Sequence, residues 1–322
     1  MNRMVDDGRR TADSESDASS VVHRPSSILS LGDLLLDVVI RYDPVAGEAD
    51  TGPDGVQLWP GGSAANFAVW AARCGAQVQF VSRVGRDWSG EMLVHSLESA
   101  GVVPHVHVTD GLPTGRVLVM VDNEGVRRMW SYPGTSATIS PDDLDPTWFA
   151  ALDGFHLTGY SLLREGPRPA ALRAFELARS TGKTLCTLDP NPPHLIADFG
   201  PDRYCRLLSE LQFDVIFPNL EEGRLLSGGD TPEAVAASLL SLSPLVVLTL
   251  GEEGCLVAHR DSAPQTVRFP ASSVEEVRDT TGAGDAFAAA FVVEYLAGRN
   301  WHSAAKAANR CAADVVARVG AR

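Results

Sequence analysis

From about residue 150 onward, short apolar runs alternate with longer segments of helical spacing. Strand-like runs such as GFHLTGYSLL, KTLCTLDPN and PLVVLTLG are separated by helix-like segments such as RPAALRAFELARSTG and TPEAVAASLLSL. Because strands that alternate with helices form a mainly parallel sheet covered on both faces, the pattern predicts an α/β fold. In such folds ligands bind beyond the carboxyl ends of the strands, so polar motifs at those ends are the first candidates for a functional site.

The first half of the chain is less regular. The run SSILSLGDLLLDVVI indicates one buried strand, and SAANFAVWAARCG has helical spacing with a C-cap glycine, Gly75. Residues 42–59 and 103–133 are turn-rich or alternate in polarity, which predicts a small β lid over the main domain. Residues 1–26 are acidic and Ser-rich, which favours a disordered tail, so we expect residues 27–322 to form the folded domain.

The composition argues against several classes of function. With 41 acidic and 27 basic residues, the 322-residue chain has a formal charge of −14, which disfavours nucleic acid and anionic membranes as partners. The five cysteines are widely spaced without a CxxC pair, which argues against a disulfide framework and a zinc site and favours a reducing, cytoplasmic location. No apolar run in the sequence approaches the ~20 residues needed to span a bilayer.

The segment DTTGAGDAF, residues 279–287, carries the most specific chemical signal. Gly282, Ala283 and Gly284 lie where a loop becomes a helix, and the first N–H groups of a helix have no internal partner and carry partial positive charge. Asp285 would repel a static phosphate, but as a general base it could take a proton from an attacking hydroxyl while the amides stabilise the migrating group. On this motif alone, a carboxylate that merely stabilises the helix is an equally good interpretation.

Two further motifs follow predicted strands. TLGEEG, with Thr249, Gly251 and Gly254, could form a glycine turn that cradles phosphate, or a simple turn between neighbouring strands. PNLEE offers Asn219 and Glu222 as oxygen ligands near a hydrated Mg²⁺, or as a helix cap with an acidic first turn. Taken alone, each motif is better explained by the second of its two interpretations, a simple turn or a helix cap.

Two motifs in the first half could contact a polyhydroxylated ligand. In PGGSAANF, Gly61 and Gly62 precede a helix and Asn66 lies on its first turn, so a ligand could approach the backbone closely and meet an amide. An ordinary entry into the helix explains these residues as well. In LGDLLLD, a turn-forming role suits Asp33, whereas Asp37 could accept hydrogen bonds from two sugar hydroxyls.

In this order, the five motifs resemble those of the ribokinase-like sugar kinases, also called the phosphofructokinase B family. The resemblance extends from about Ile28 to Ala321; DTTGAGDAF resembles the C-terminal signature of the family and GGSAANFA its N-terminal signature. It implies a ribokinase-like fold, with a central, mainly parallel sheet, helices on both faces and a small β lid. It also implies ATP-dependent transfer of phosphate to a hydroxyl of a small carbohydrate or sugar acid.

The resemblance also implies roles for individual residues. Glu222 would hold Mg²⁺ through water, and lid ribbons that often pair between subunits in this family imply a homodimer. Four sets of residues follow from the motifs: a base with its anion hole (Asp285 with Gly282, Ala283 and Gly284), sugar contacts (Asp37, Gly61, Gly62 and Asn66), nucleotide and Mg²⁺ contacts (Asn219, Glu222, Thr249, Gly251, Gly254 and Asn309), and ligands of the K⁺ ion that many relatives bind (Asp279 and Thr281).

Several positions differ from the patterns of particular branches. Ser63 stands where ribokinases proper carry a lysine, and Gly159 and Tyr160 stand where they carry a glutamate that contacts ribose. Pro193 stands where keto-acid sugar kinases often carry an arginine. These differences disfavour ribose and a keto-acid sugar as the acceptor.

We therefore predict an ATP- and Mg²⁺-dependent carbohydrate kinase. A nucleoside kinase of the same family is the main alternative, because Trp59, Trp130 and Tyr132 could form a slot for a base. A non-catalytic sugar or nucleotide sensor is less favoured, because a sensor does not need a base at residue 285. A Rossmann dehydrogenase is disfavoured, because no GxGxxG motif follows the first strand.

Overall fold

A computed structural model describes residues 24–322, apart from residues 44, 46–47, 50–51, 53–54, 124–126 and 263–265. The tail predicted for residues 1–26 lies almost entirely outside the described residues. The strands, in chain order, are β1 (Ser27–Leu31), β2 (Leu35–Asp43), β3 (Glu48–Ala49), β4 (Val56–Gly61), β5 (Gln77–Gly85), β6 (Val102–Thr109), β7 (Gly115–Val121), β8 (Arg127–Tyr132), β9 (Gly154–Thr158), β10 (Leu185–Asp189), β11 (Val215–Ile216), β12 (Leu245–Thr249), β13 (Cys255–His259) and β14 (Thr266–Phe269). The α-helices are α1 (Ser63–Arg73), α2 (Trp88–Ser99), α3 (Gly159–Leu163), α4 (Arg168–Ser180), α5 (Pro193–Phe199), α6 (Pro201–Leu211), α7 (Leu220–Ser227), α8 (Pro232–Leu239), α9 (Ala283–Gly298) and α10 (Trp301–Val316).

The large sheet follows from the alternation of strands and helices. In the described part of the chain it has nine strands, in the order β14-β13-β12-β11-β10-β9-β1-β5-β6. The strands from β12 to β6 run parallel, and β13 and β14 are antiparallel additions at one edge. The predicted α/β fold with a mainly parallel sheet is confirmed, and the carboxyl ends of the parallel strands lie along one side.

Two apolar clusters cover the two faces of this sheet. The first packs α1, α2, α9 and α10 against it and includes Phe67 and Phe291. The second packs helices α3 to α8 against the opposite face and includes Phe155 and Tyr204. Burying one such aromatic or aliphatic side chain stabilises the fold by about 1.5–3 kcal/mol. Among the described residues, no helix is both long enough and apolar enough to cross a membrane.

The run SSILSLGDLLLDVVI is not one strand. It divides into β1, in the centre of the large sheet, and β2, in a second, small sheet of order β3-β2-β7-β8 with β4 also paired to β2. Asp33 makes the division, because its carboxylate accepts hydrogen bonds from the amides of Ser63 at 3.0 Å and Ala64 at 3.3 Å, at the start of α1. The single-strand prediction was wrong because both halves are apolar, and periodicity does not reveal which sheet a strand joins.

The limits predicted for the lid also need correction. Strand β6, which occupies the start of the predicted lid segment 103–133, pairs with β5 at the edge of the large sheet. Strand β2, most of which precedes the predicted segment 42–59, lies at the centre of the small sheet. An edge strand is half exposed and therefore alternates in polarity in the same way as a strand of a lid. The small sheet consists of β2, β3, β4, β7 and β8 among the described residues.

Candidate active site

A cavity of about 180 Å³ opens where the strands β10, β11 and β12 end and α9 begins. Such convergence is expected at the carboxyl edge of a parallel sheet, where successive loops meet. The residues that line the cavity come from four separate segments of the chain: Asp189, Asn191, Phe217, Asn219, Glu222, Thr249, Gly282, Gly284 and Asp285. The structure therefore brings together parts of three motifs that the sequence suggested independently.

The N-terminus of α9 forms one wall of this cavity. Gly282 is its N-cap residue with φ of 77°, and a Cβ at this position would lie 2.7 Å from the Cβ and the carbonyl oxygen of Ala321. Only glycine fits such a left-handed, crowded position without strain. Gly284 is exposed, and a Cβ there would meet no atom within 4 Å, so a ligand can approach its backbone. The amide of Ala283 donates to the carbonyl of Thr280 at 3.3 Å and is partly engaged within the loop.

Asp285 lies on the first turn of α9 and is held by two side chains of α1. The hydroxyl of Ser63 donates to its Oδ1 at 2.5 Å, and the amide of Asn66 donates to its Oδ2 at 2.9 Å. Burial raises the pKa of Asp285 to about 8, although the hydrogen bond from Ser63 opposes the shift. A carboxyl group with a pKa near the working pH can take up and return a proton, which is what general-base catalysis requires.

Ser63 and Asn191 are functional candidates that the sequence did not assign. The Asn191 amide donates to the Ser63 hydroxyl at 3.2 Å, so a chain of hydrogen bonds runs from the end of β10 through Ser63 to Asp285. Asn191 belongs to the segment DPN and Ser63 follows the double glycine. From the sequence, these two residues bear only on the identity of the acceptor. Their contact with each other joins positions 128 residues apart, and residue spacing does not predict such a contact.

Buried amide oxygens without partners mark the side of the cavity next to α1. The Oδ1 atoms of Asn66 and Asn191 are both buried and accept no hydrogen bond from the described part of the protein. A buried acceptor without a donor costs free energy, and native structures rarely tolerate one without water or a ligand. Two such oxygens beside Asp285 are suited to hydroxyl donors of a ligand.

The remaining predicted sugar contacts lie where the small sheet meets α1. Asp37 projects from β2 next to Gly61, since a Cβ on Gly61 would overlap its carboxylate. Gly62 has φ of 99°, and a Cβ there would collide with the carbonyl oxygen of Asp33. The double glycine thus serves the tight passage from β4 to α1. Burial raises the pKa of Asp37 to about 7.

Asn219 and Glu222 form the helix cap that the sequence suggested, and both lie at the cavity where a metal ion was predicted. They form a capping box at the start of α7, in which the Glu222 amide donates to Asn219 Oδ1 at 2.9 Å and the Asn219 amide donates to Glu222 Oε2 at 3.0 Å. Both also line the cavity. Burial raises the pKa of Glu222 to about 7, and burial together with the charge of Glu222 raises that of Asp189.

Both carboxyl groups are buried, and the charge of Glu222 raises the pKa of Asp189, so the protein alone compensates the pair poorly. A divalent cation would remove this cost, and Mg²⁺ needs few protein ligands because it keeps most of its waters. Asp189 and Glu222 therefore fit a hydrated Mg²⁺. No group of three or more His, Cys, Asp or Glu side chains within the described ranges could enclose a metal ion.

The predicted nucleotide contacts are only partly brought together. Thr249 lines the cavity, whereas Gly251, Gly254 and Asn309 do not. Gly251 and Gly254, with φ of 61° and 90°, form the turn between the antiparallel strands β12 and β13. The Asn309 amide donates to the carbonyls of Phe269 at 3.3 Å and Pro270 at 3.2 Å, beyond β14. These residues shape the loops around the cavity.

Asp279 and Thr281, the predicted K⁺ ligands, support the turn that precedes Gly282. Asp279 Oδ1 accepts from the amide of Thr281 at 2.8 Å and from its hydroxyl at 2.6 Å, and Oδ2 accepts from the amide of Gly320 at 3.1 Å. The carboxylate thus joins the loop before α9 to the chain after α10. These hydrogen bonds indicate a structural role for Asp279.

The aromatic slot suggested for a nucleoside base is not formed by the three predicted residues. Trp59 pairs with Asp37 across β4 and β2, and their row continues through Val117 to Ser131. Trp130 and Tyr132 flank Ser131 on β8, so alternation directs them to the opposite face of the small sheet. They are 54% and 49% exposed. The prediction was wrong because the register of the strands was unknown.

Comparisons with known proteins place the chain among sugar and nucleoside kinases. Residues 25–322 match the profile of the pfkB family carbohydrate kinases. The chain is 30% identical over 311 residues to fructokinase-1 of Oryza sativa subsp. japonica, which covers 92% of this chain and 94% of the relative. The crystal structure of adenosine kinase from Sinorhizobium meliloti superposes with a TM-score of 0.83 at 25% identity, covering 93% of this chain and 96% of that one. A putative ribokinase II from E. coli, in complex with ATP and Mg²⁺, gives a TM-score of 0.80 at 25% identity over 92% of this chain and 94% of that one.

Proposed function

The chain belongs to the pfkB family of carbohydrate kinases, and we propose that its cavity transfers the γ-phosphate of ATP to a hydroxyl of a small carbohydrate, with Asp285 as the general base. The enzyme is a phosphotransferase with an alcohol group as acceptor. The observation that carries the assignment of the site is the position of Asp285. It lies on the first turn of α9 and lines the cavity together with Asp189 and Glu222. It also accepts a hydrogen bond from Asn66, whose buried Oδ1 has no partner in the described structure.

The residues around Asp285 suggest how the transfer proceeds. Ser63 and Asn66 each hold one carboxylate oxygen, so the carboxylate is oriented before the acceptor binds. When ionised, Asp285 takes the proton from the acceptor hydroxyl as that oxygen attacks the phosphorus. The backbone at Gly284, open to solvent at the start of α9, would stabilise charge on the transferred group. Such chemistry depends mainly on positioning and electrostatics.

Mg²⁺ would be held by Glu222 and Asp189, partly through water. When bound, the ion neutralises charge on the phosphates of ATP. Asn219 fixes the Glu222 carboxylate, donating to its Oε1 through the side-chain amide at 2.7 Å. Thr249 borders the same side of the cavity. Gly251, Gly254 and Asn309 would contact the nucleotide at the mouth of the site or shape the loops that do.

Three further proposals concern the surroundings of the site. The small sheet, which carries Asp37, would close over the acceptor and exclude water. The exposed side chains of Leu58, Trp130 and Tyr132, on its outer face, would pair two subunits into a homodimer in the cytoplasm. K⁺ would bind beside the turn that Asp279 supports. Light scattering of the purified protein tests the dimer, and activity in KCl against choline chloride tests the ion.

An assay of ADP release tests the proposed function. The protein is incubated with ATP, Mg²⁺ and a panel of acceptors that includes fructose, ribose and adenosine, and wild type is compared with Asp285→Asn. We expect release with a free sugar and its near-complete loss in the variant. Binding of a sugar without ADP release would indicate a sensor and would refute the proposal.

A nucleoside kinase is the second candidate. The structural similarity to the adenosine kinase of Sinorhizobium meliloti favours it. Turnover of adenosine in the same panel, with kcat/KM well above that of every free sugar, would establish this alternative.

A further inference from the structure

Arg322 brings a guanidinium group to the junction of the small sheet and α1, where the predicted sugar contacts Asp37 and Gly61 lie. Its Nε donates to the carbonyl of Pro60 at 3.1 Å, and Nη2 donates to that of Gly61 at 3.3 Å. The side chain therefore lies against the end of β4, next to the carboxylate of Asp37. The preceding residue, Ala321, is buried, and its carbonyl accepts a hydrogen bond from the indole of Trp70 at 2.9 Å. The position of Arg322 is thus fixed from both sides.

One nitrogen of this guanidinium group is buried and free. Nη1 of Arg322 has no hydrogen-bond partner in the described structure. Asp37 is the carboxylate that attracts the guanidinium most strongly, yet among the described residues no carboxylate oxygen lies within the 4.0 Å of a direct ion pair. A buried charged donor without a partner costs more than a neutral one. An oxygen atom between Arg322 and Asp37 would satisfy both groups.

The charges around this position restrict the chemistry of that oxygen. A carboxylate or phosphate oxygen could only accept hydrogen bonds, so it would be attracted by Arg322 and repelled by Asp37. A hydroxyl can donate to Asp37 and accept from Arg322 at the same time. The charged side chains that act on this region are four aspartates and three arginines, of which Arg73 is exposed to solvent: Asp33, Asp37, Asp279, Asp285, Arg73, Arg164 and Arg322.

When these four aspartates are ionised, the region therefore carries no surplus positive charge. Asp33 is attracted by Arg164, and Asp37 by Arg322. The base, Asp285, adds a negative charge when it is ionised, and the phosphates of ATP add more. An acceptor with its own negative charge would be repelled by the ionised carboxylates and by the phosphates, whereas a neutral polyol would not.

We propose that Arg322 and Asp37 together bind one hydroxyl of a neutral sugar, and that the pair excludes sugar acids and sugar phosphates. The carboxylate of Asp37 accepts a hydrogen bond from this hydroxyl, while Nη1 of Arg322 donates a hydrogen bond to the oxygen of the hydroxyl. Arg322 is thereby a residue that determines specificity, and the acceptor is a neutral polyhydroxyl compound. The inference rests on the proposed kinase function and narrows its substrate class.

Deoxygenated acceptors test the shared hydroxyl. Steady-state ADP release is measured with fructose and ribose and with the monodeoxy analogues of the better of the two. We compare wild type, Arg322→Met and the matched control Arg318→Met, which alters an exposed arginine four positions earlier. We expect Arg322→Met to lower kcat/KM for the parent sugar by about 10- to 100-fold, mainly through KM, as for loss of a hydrogen bond to a charged group. Arg318→Met leaves it unchanged.

One monodeoxy analogue should distinguish recognition from a structural role. The analogue that lacks the shared hydroxyl is a poor substrate of wild type, and Arg322→Met should not impair it further. If Arg322 only holds the carbonyls of Pro60 and Gly61 in place, Arg322→Met will lower kcat/KM by the same factor for every analogue. That result would overturn the inference. Should Arg322→Met fail to fold, Arg322→Lys gives the same comparison, because a single ammonium group cannot replace the whole fork.

Charged acceptors separate this inference from the proposed function. Wild type should use the parent sugar at least about 100-fold better, in kcat/KM, than gluconate or 2-keto-3-deoxygluconate. A preference for either acid that Arg322→Met abolishes would overturn the inference and leave the kinase function intact. Absence of ADP release with every acceptor would overturn the proposed function, and the inference with it.

Discussion

Replacing Asp285 by asparagine removes the charge of this side chain while nearly preserving its shape. The substitution abolishes proton uptake at the position that we assign to the base. Positioned general bases contribute about 10²- to 10⁴-fold to a rate, so kcat should fall by a factor in this range. KM for the acceptor should change much less, because Ser63 and Asn66 still border the site.

The same substitution should affect stability in a pH-dependent way. Burial raises the pKa of Asp285 from 3.8 to about 8, so the folded protein binds a proton that the unfolded chain has lost. This contribution to stability is complete below pH 3.8 and is lost as the pH rises through 8. Each pKa unit corresponds to about 1.4 kcal/mol, and water in the open cavity reduces the effect. Asp285→Asn should therefore gain about 2–3 kcal/mol relative to wild type between pH 5 and pH 8.5.

Urea unfolding at the two pH values measures this difference, with Glu294→Gln as the control. Glu294 lies on the same helix but does not line the cavity. Because the comparison is between pH values, a constant cost of placing an amide beside Asn66 cancels. A kcat close to that of wild type would refute the assignment of the base, and a stability difference that is independent of pH would refute the argument from burial.

The other predictions concern the metal, the turn and the pH profile. Glu222→Gln should raise the Mg²⁺ concentration for half-maximal activity by about 10-fold or more, while the protein stays folded, because glutamine also completes a capping box. An unchanged Mg²⁺ requirement contradicts the metal assignment. Gly282→Ala should destabilise the protein by about 1–3 kcal/mol in urea, because its Cβ would lie 2.7 Å from Ala321 at a φ of 77°, and a neutral effect would show that the turn yields easily. Because Asp285 must be ionised, kcat/KM of wild type should decrease as the pH is lowered through about 8, and this decrease should be missing from the residual activity of Asp285→Asn.

The sequence predicted the edge of the sheet where the site lies but not the partners within it. Gly282, Asn219 and Thr249 could be assigned because each follows a strand or begins a helix, and parallel topology brings such ends together. Asp189 could not, because its significance depends on proximity to Glu222. The predicted limits of the small sheet were wrong for a related reason. Alternating polarity indicates that a strand has one exposed face, but it does not indicate which strand lies next to it.

The capping role of Asp33 could be suspected from the sequence, but the position of Arg322 could not. Asp33 acts on residues that follow a recognisable double glycine, whereas Arg322 reaches Pro60 across 262 positions. Contacts of that kind depend on the complete tertiary arrangement. The sequence therefore predicted the class of reaction but not which acceptor the enzyme prefers.

The passage from β4 to α1 through the single residue Gly62 has a consequence for the order of events in turnover. Strand β4, which would contact the sugar through Gly61, and Ser63, which donates a hydrogen bond to the proposed base Asp285, belong to one continuous segment of backbone. Only one residue joins them, so the two would move together. Binding of the correct sugar would therefore shift Ser63 and, through its hydrogen bond, Asp285. In such an enzyme, binding of the sugar and positioning of the base for deprotonation would occur in one movement. This coupling would limit the hydrolysis of ATP by water when no sugar is bound.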